Sequence, residues 1–152
     1  MRGVGMALDV RPLVDGLSVS PQVTEQDIRD AHEAGFRTII NNRPDGEEPG
    51  QLSSAQAGQL ARELGLVYIH QPATGPTLES VAGEFGRALA TAPGPILAHC
   101  RSGTRCTILW ALAEAKAGSL DGDAILRTAA SAGYDLSAYA PLIDRYTQSR
   151  SE

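Results

Sequence analysis

Residues 93–110 read PGPILAHCRSGTRCTILW, and this stretch decides both the fold and the location of the chemistry. The apolar run that ends at Ala98 has the composition of a buried strand. A polar loop with one glycine follows, and an apolar helical pattern begins at Arg105. Strand, loop and helix in this order direct backbone N–H groups and a helix N-terminus to one point, which suits an anion. A cysteine at that point, Cys100, is expected to have a lowered pKa and to act as a thiolate nucleophile.

The loop after this strand has the pattern Cys, four residues, Arg, from Cys100 to Arg105. Gly103 lets the loop curl without a steric penalty, and Arg105 can bind an anion through two parallel hydrogen bonds. A cysteine at a strand end is often only a small buried residue. The neighbouring His99, the glycine and the two arginines favour a reactive cysteine instead. The predicted anion-binding residues within the loop are Arg101, Ser102, Gly103 and Thr104.

The composition predicts one globular domain over residues 1–152, with residues 1–8 disordered. The chain has 152 residues, of which 42% are hydrophobic, and this is enough for a core of ordinary size. A net charge of −5 without a basic stripe argues against nucleic-acid binding. No run approaches the roughly 18 apolar residues that span a bilayer, and no signal-peptide pattern follows Met1. Two cysteines are not a disulfide framework, so we expect a cytoplasmic location and no membrane partner.

Strand and helix patterns alternate over the first two-thirds of the chain. Alternating or continuous apolar runs predict strands, and apolar residues three or four apart predict helices. The predicted strands span 17–20, 36–40, 66–70 and 96–98, and the predicted helices span 24–34, 51–64, 77–92, 105–117, 121–131 and 136–148. This alternation predicts an α/β fold with a mostly parallel sheet of four to five strands flanked by helices.

Ligands in such folds bind beyond the carboxyl ends of the parallel strands. Three predicted loops leave the sheet at that edge, over residues 41–48, 70–77 and 99–105. We therefore expect these loops to converge on one pocket. Arg43, Asp45 and Glu47 in the first loop form either the rim of this pocket or a salt-bridge network that fixes the loop. Arg43 is the predicted anion-binding residue among them.

Three motifs carry a resemblance to a known family: HCRSGTR at 99–105, NNRPDGE at 41–47 and AGYDL at 132–136. With these motifs in this order, residues 8–148 resemble the small bacterial domains described as beta-lactamase hydrolase-like phosphatase or sulfurtransferase domains. The resemblance implies a fold similar to that of the dual-specificity protein tyrosine phosphatases. It implies that Cys100 is the nucleophile, that Arg105 clamps the anion and that His99 holds the cysteine loop. It also implies a separate sulfide-oxidising enzyme as a partner.

The number of residues between Cys100 and Arg105 favours sulfur transfer. Tyrosine-phosphatase loops have five residues between these two positions, whereas rhodanese loops have four and read Cys-Arg-x-Gly-x-Arg or Thr. This chain matches the rhodanese pattern at every defined position. A shorter loop is expected to surround a smaller anion, closer to the sulfur of a persulfide than to a whole phosphoryl group.

The loop after the third predicted strand lacks an acid that phosphatases of this type use. Such enzymes protonate the leaving phenol or alkoxide with an Asp on a neighbouring loop. Residues 71–76 contain no carboxylate, which leaves Asp45 as the candidate catalytic acid. Sulfur transfer between thiols needs no such acid, because thiolates are adequate leaving groups.

The sequence therefore favours a rhodanese-type sulfurtransferase that passes sulfane sulfur through a persulfide on Cys100, with a small-molecule thiol or sulfane-sulfur donor as its partner. The alternative is a cysteine phosphatase that hydrolyses phosphomonoesters through phosphocysteine at Cys100, with Asp45 as general acid. A third interpretation is a non-catalytic anion-binding or redox-sensing module that uses Cys100 and Cys106. Ligands at metal-binding spacing do not occur, so we expect neither a metal nor another cofactor. The oligomeric state does not follow from the sequence.

Overall fold

A computed structural model describes residues 8–150 of the chain, and its central element is a five-stranded sheet. The strands are β1 (Arg11–Val14), β2 (Leu17–Ser20), β3 (Thr38–Asn41), β4 (Val67–His70) and β5 (Ile96–His99). The helices are α1 (Glu25–Glu33), α2 (Ser54–Glu63), α3 (Leu78–Thr91), α4 (Thr104–Ala117), α5 (Gly122–Ser131) and α6 (Ala140–Ser149). Short 3-10 turns precede α3 and α6, at Gly75–Thr77 and Ser137–Tyr139.

The strands lie in the order β1-β2-β5-β3-β4. The last four of these are parallel to one another, whereas β1 pairs with β2 in the antiparallel direction. The predicted α/β fold with a mostly parallel sheet is therefore confirmed. Because β5 is the central strand, the peptide that leads into Cys100 is hydrogen-bonded on both sides.

β1 is the strand that the sequence patterns do not predict. It contains Pro12, which cannot donate to a hydrogen-bond ladder, and strands with proline are confined to sheet edges. β1 lies at such an edge and is too short to show a clear alternation. The predicted disorder of residues 1–8 falls outside the described residues, except at Leu8, which is buried in the core.

Local capping signals place most of the helix boundaries where the sequence predicts them. Thr24 Oγ1 accepts the N–H of Asp27 at 3.0 Å, and the Asp27 carboxylate accepts the N–H of Thr24 at 2.9 Å. This capping box starts α1. The last helix begins at Ala140 rather than at 136, because the preceding residues form a 3-10 turn and Pro141 enters the first helical turn, where no N–H is needed.

Alternate residues of the central strands point into two hydrophobic clusters. Ile39 and Leu97 pack with α1 and α2 on one face of the sheet. Ile40 and Ala98 pack with α3, α4, α5 and α6 on the other face. Full burial of a side chain such as Leu97 contributes roughly 1.5–3 kcal/mol, so β3 and β5 form a rigid base for the loops that leave them. Within the described residues, no helix is both long enough and apolar enough to cross a membrane.

Candidate active site

The loops that follow β3, β4 and β5 meet at one edge of the sheet. Asn41, the last residue of β3, lies in register with His70 on one side and His99 on the other. Beyond the strands, the Asn42 N–H donates to the His99 carbonyl at 2.8 Å, and the Ala73 N–H donates to the Asn42 carbonyl at 2.9 Å. The predicted convergence of the three loops is confirmed by these bonds.

The cysteine loop turns back on its own sulfur. Cys100 follows β5 directly and its side chain is fully buried. Gly103 adopts a left-handed φ of 94° immediately before α4, and its N–H donates to the Cys100 Sγ at 3.1 Å. Thr107 Oγ1 donates to the Gly103 carbonyl at 2.8 Å and so fixes the loop on the first turn of the helix. The sulfur therefore lies at the N-terminal end of α4, where unpaired N–H groups and the helix dipole favour a negative charge.

Cys100 is poised as a thiolate. The pKa of the Cys100 thiol is lowered to about 5, and the hydrogen bond from Cys106 is the largest cause. The backbone N–H groups of Cys106, Gly103 and Ser102 lower this pKa further, whereas burial of the sulfur raises it. Burial and the adjacent Cys100 raise the pKa of Cys106 well above its ordinary value. At neutral pH the pair therefore consists of one thiolate and one thiol that donates to it.

The remaining side chains of the loop lie at its rim. Ser102 Oγ donates to Thr104 Oγ1 at 2.9 Å, so the two exposed hydroxyls bond to each other. Arg101 is exposed, and its side chain forms no hydrogen bond or ion pair with another described residue. Its carbonyl accepts the N–H of Gln22 at 3.1 Å, which ties the loop to the end of β2. These three predicted anion-binding residues are thus placed around the cysteine, with Arg101 carrying an uncompensated charge.

Glu47 lies between two arginines and links the first loop to α4. Arg105 Nη2 and Nη1 donate to the Glu47 carboxylate oxygens at 2.8 and 2.9 Å, and Arg43 Nε donates to the same carboxylate at 2.7 Å. The bond from Arg105, and then that from Arg43, lower the pKa of Glu47 to about 2 although burial opposes them. Arg105 Nη1 also donates to the Ala73 carbonyl at 2.9 Å. Arg105 therefore contacts all three loops of the site.

Arg43 is a buried structural residue in this arrangement. Only 1% of its surface is exposed, and besides Glu47 it donates to Glu48 at 3.0 Å and to Gln22 at 3.1 Å. Its guanidinium is thus already compensated by two carboxylates. The geometry supports the predicted salt-bridge network rather than the predicted direct contact of Arg43 with an anion.

The two histidines near the site differ in their contacts: His70 contacts a backbone carbonyl, whereas neither ring nitrogen of His99 has a hydrogen-bond partner among the described residues. His70 Nε2 lies 2.9 Å from the Arg43 carbonyl. His99 is almost completely buried beside the backbone of Cys100, and burial is the main cause that lowers its pKa to about 4, so its ring is neutral. No group of three or more His, Cys, Asp or Glu side chains among the described residues is arranged to hold a metal ion.

Asp45 is held by the start of α2. One of its carboxylate oxygens accepts the N–H of Ser54 at 2.8 Å and the other accepts the Ser54 hydroxyl at 2.7 Å. These bonds lower the pKa of Asp45, so the group is ionised and engaged as a helix cap. The geometry therefore does not support the predicted general acid: a proton donor needs a raised pKa, not a lowered one.

The sequence does not predict the contact of Glu47 with Arg105 or the contact of Tyr134 with the cysteine loop. Glu47 is four residues from Arg43, a spacing that predicts a local ion pair but not the second bond to Arg105. The Tyr134 hydroxyl donates to the Ser102 carbonyl at 3.0 Å and so supports the cysteine loop from the α5 side. The AGYDL motif at 132–136 is the sequence signal for Tyr134.

A buried cysteine at the end of the central parallel strand, before a helix that begins beside an arginine, is the arrangement of the protein-tyrosine-phosphatase-like fold. Comparison with known proteins narrows this class. The model of the family described as "Beta-lactamase hydrolase-like protein, phosphatase-like domain" matches residues 9–117. The chain belongs to this family, as its motifs indicated.

Relatives and solved structures agree with this assignment. A beta-lactamase hydrolase-like protein of Agrobacterium fabrum is 37% identical over 130 residues, which are 85% of this chain and 30% of that protein. The chain thus spans less than a third of the curated relatives it matches. A crystal structure of a candidate phosphatase from Neisseria meningitidis Z2491 is 36% identical, with a TM-score of 0.80 over 89% of this chain and 96% of that one.

A more distant structure shows how widely the fold is shared. The structure of PTPMT1 has a TM-score of 0.70 over 94% of this chain and 96% of that chain, at 9% identity, and so supports the fold alone. Taken with the family match, these comparisons support a phosphatase-like domain. They give no support to the rhodanese-type sulfurtransferase that the four-residue spacing favoured.

Proposed function

We propose that this chain is a cysteine-dependent phosphatase that hydrolyses phosphomonoesters. The observation that carries the proposal is the Cys100 thiolate, which accepts hydrogen bonds from Gly103 and Cys106 at the N-terminus of α4 with the guanidinium of Arg105 in reach. A phosphoryl group placed against the sulfur would meet the loop N–H groups, the positive end of the helix dipole and Arg105. These are the donors that stabilise the charge of a phosphoryl group in transfer.

The reaction follows from this arrangement in two steps. The Cys100 thiolate attacks phosphorus, the S–P bond forms, and the P–O bond to the leaving group breaks with its electron pair on oxygen. Water then attacks the phosphocysteine, and inorganic phosphate and the Cys100 thiolate are released. The loop N–H groups and Arg105 stabilise the non-bridging oxygens in both steps. The low pKa of Cys100 serves each step, because it supplies the nucleophile and then makes the sulfur a good leaving group.

The site favours substrates with acidic leaving groups. Asp45 and Glu47 are both ionised in this arrangement, because Ser54 and the two arginines hold their pKa values down. A leaving group must then depart without a proton from either carboxylate. Phenols do so far more readily than aliphatic alcohols, so the proposed substrate class is aryl phosphates, including phosphotyrosine-like esters.

Hydrolysis of an aryl phosphate by the wild type and by Cys100→Ser tests the proposal. We expect the variant to lose nearly all activity, since serine at this position is not ionised at neutral pH. Rapid acid quench of the wild type should yield a peptide that carries one phosphoryl group on Cys100. Equal rates for the two proteins would reject a cysteine phosphatase.

Sulfur transfer is the second candidate, and the absence of a usable acid among Asp45 and Glu47 favours it. In that reaction the Cys100 thiolate takes the outer sulfur of thiosulfate and releases sulfite, and the persulfide passes its sulfur to cyanide or a thiol. Neither step needs a proton donor. Thiosulfate treatment should then add the mass of one sulfur atom to Cys100, and cyanolysis should be faster than aryl phosphate hydrolysis. These two results together would reject the phosphatase function in favour of the sulfurtransferase function.

A further inference from the structure

The peptide unit between Ser102 and Gly103 is hydrogen-bonded on both of its sides. The Tyr134 hydroxyl donates to its carbonyl oxygen at 3.0 Å, and its N–H donates to the Cys100 Sγ at 3.1 Å. This peptide bond is trans and planar, so its carbonyl and its N–H point in opposite directions. One orientation of the unit therefore satisfies both bonds at once, and rotation of the unit breaks both.

Gly103 leaves this orientation open to change. Its φ is 94°, and glycine adopts positive and negative φ about equally well. Rotation of the peptide unit about the axis through its two Cα atoms would make this φ negative and would turn the Ser102 carbonyl oxygen toward Cys100. The next peptide unit is held differently, because the Gly103 carbonyl accepts both the N–H and the hydroxyl of Thr107 on α4. The unit between Ser102 and Gly103 is therefore the one in which the loop can turn.

Tyr134 is well placed to prevent this rotation because the end of α5 fixes it. The Gly133 N–H donates to the Ala130 carbonyl and the Tyr134 N–H donates to the Ala129 carbonyl, both at 2.9 Å, which is the Schellman motif that ends a helix. The Arg11 guanidinium lies 5.3 Å from the centre of the tyrosine ring. Burial is the main cause that raises the pKa of Tyr134, so its hydroxyl keeps its proton and remains a donor.

We propose that Tyr134 is a positioning residue that locks the Ser102–Gly103 peptide with its N–H toward Cys100, and so keeps the cysteine loop in the form that binds an anion. In the rotated form a carbonyl oxygen would face the thiolate and the anion, where the negative charge needs donors. The inference rests on the proposed function for one point only, namely that the anion is a phosphoryl group. Gly103 and Tyr134 are complementary, because a Cβ at position 103 would overlap the tyrosine hydroxyl.

Two tyrosines provide a matched pair of variants. Tyr134→Phe removes the hydroxyl that holds the peptide but keeps the ring that Arg11 contacts. Tyr146→Phe is the control, because the Tyr146 hydroxyl likewise donates one hydrogen bond, to Glu79 at 2.6 Å. A cation, Lys116, also lies 5.2 Å from its ring centre. Since the partner of this hydroxyl lies on α3 and not in the cysteine loop, the same chemical change should leave the loop intact.

The first measurement is a nitrogen-NMR titration with inorganic phosphate that follows the Gly103 amide. This readout requires no turnover, and the wild-type signal should shift on binding. Tyr134→Phe should weaken phosphate binding by about fivefold or more, because only a fraction of the molecules then present the N–H to the anion. Tyr146→Phe should change the affinity by less than about twofold, since its loop keeps one orientation.

The second measurement is the pKa of Cys100, taken from the pH dependence of its Cβ carbon-NMR shift. This pKa, which is about 5 in the wild type, should rise in Tyr134→Phe, because the thiolate loses the Gly103 N–H for part of the time. Cys106 and Arg105, the other titratable groups that face the sulfur, are the same in both variants. The control variant should keep the wild-type value.

The outcomes separate this role from the phosphatase proposal. Weaker phosphate binding and a raised Cys100 pKa in Tyr134→Phe alone would support the positioning role, even if no cysteine-dependent hydrolysis is found and the phosphatase proposal is rejected. Equal effects in the two phenylalanine variants, or a change in only one of the two quantities, would overturn the role. A lower melting temperature of Tyr134→Phe with both quantities unchanged would show a merely structural contact and would also overturn it. A wild-type Gly103 amide that does not respond to phosphate would reject the anion-binding form and the inference with it.

Discussion

Cys106 lies against Cys100, and both side chains are fully buried at the start of α4. The Cys106 thiol donates to the Cys100 thiolate and is the largest cause of its lowered pKa. The lowered pKa of Cys100 thus depends on a second sulfur one residue beyond Arg105. Because an S–H group is a weak donor, its effect here comes from the buried surroundings, where hydrogen bonds are stronger than in water.

The first prediction concerns this pair. Cys106→Ala should raise the pKa of Cys100 from about 5 toward its ordinary value of 9, because the thiolate loses its main donor. Cys106→Ser keeps a hydroxyl donor and should hold the pKa much nearer to the wild-type value. The pH dependence of the Cys100 Cβ carbon-NMR shift measures this pKa directly. An unchanged midpoint in Cys106→Ala would show that the loop N–H groups alone stabilise the thiolate.

The second prediction follows from the ionised carboxylates of the site. Hydrolysis rates should fall steeply as the leaving-group pKa rises across a series of aryl phosphates, because the bond breaks without protonation. Asp45→Asn should leave this dependence unchanged and reduce the rate only modestly, since its carboxylate caps α2. A shallow dependence in the wild type that becomes steep in Asp45→Asn would restore Asp45 as the general acid.

The third prediction concerns stability in acid. Burial lowers the pKa of His99 from 6.5 to about 4, so between these values the unfolded chain binds a proton that the native protein excludes. His99 should therefore contribute a fall in the free energy of unfolding as pH drops from 6.5 to about 4, on the order of 3 kcal/mol. Urea unfolding at several pH values measures this slope.

Two variants serve as the test of that assignment. His99→Asn removes this titrating group and should make the slope shallower by the share of His99, while the slope that Cys100 contributes down to about pH 5 remains. His32→Asn changes an exposed histidine on α1 and should keep the wild-type slope. The same slope in His99→Asn as in the wild type would attribute the acid sensitivity to other groups.

The fourth prediction concerns Gly103. Alanine at this position would adopt a left-handed conformation, at a cost of about 1–2 kcal/mol, and its Cβ would overlap the hydroxyl of Tyr134. Gly103→Ala should therefore lower the free energy of unfolding by more than the conformational cost and abolish cysteine-dependent activity. Gly65→Ala is the control, because Gly65 has a similar φ of 85° but open space around it. Chemical unfolding of the two variants compares them, and equal losses would remove the contact with Tyr134 from the explanation.

Much of the fold could be predicted from local patterns. The apolar run that leads to Cys100 is continuous because both faces of the sheet are covered. The start of α1 is predictable because Thr24 and Asp27 form a capping box. β1 could not be predicted in this way. This four-residue segment, which contains Pro12, is a strand only because its backbone pairs with the edge of β2.

The residues of the cysteine loop could also be predicted from the sequence. The cysteine, the glycine and the arginine of one loop lie within six residues, so their proximity follows from the chain itself. The sequence also favoured sulfur transfer on the count of residues in that loop, whereas the family comparisons support a phosphatase-like domain. A loop length constrains the size of an anion, but it does not by itself identify the group that is transferred.

The sequence by itself determined the order of the strands and helices from β2 to α6 and the position of Cys100 at a strand end before a helix, because these depend on periodicity and on neighbours along the chain. Only the tertiary structure decided which side chains surround Cys100. Arg105 and Glu47 are 58 positions apart and meet because β3 and β5 are adjacent in the sheet. The Asp45 carboxylate likewise bonds Ser54 because its loop packs against the start of α2, a contact that the sequence does not predict.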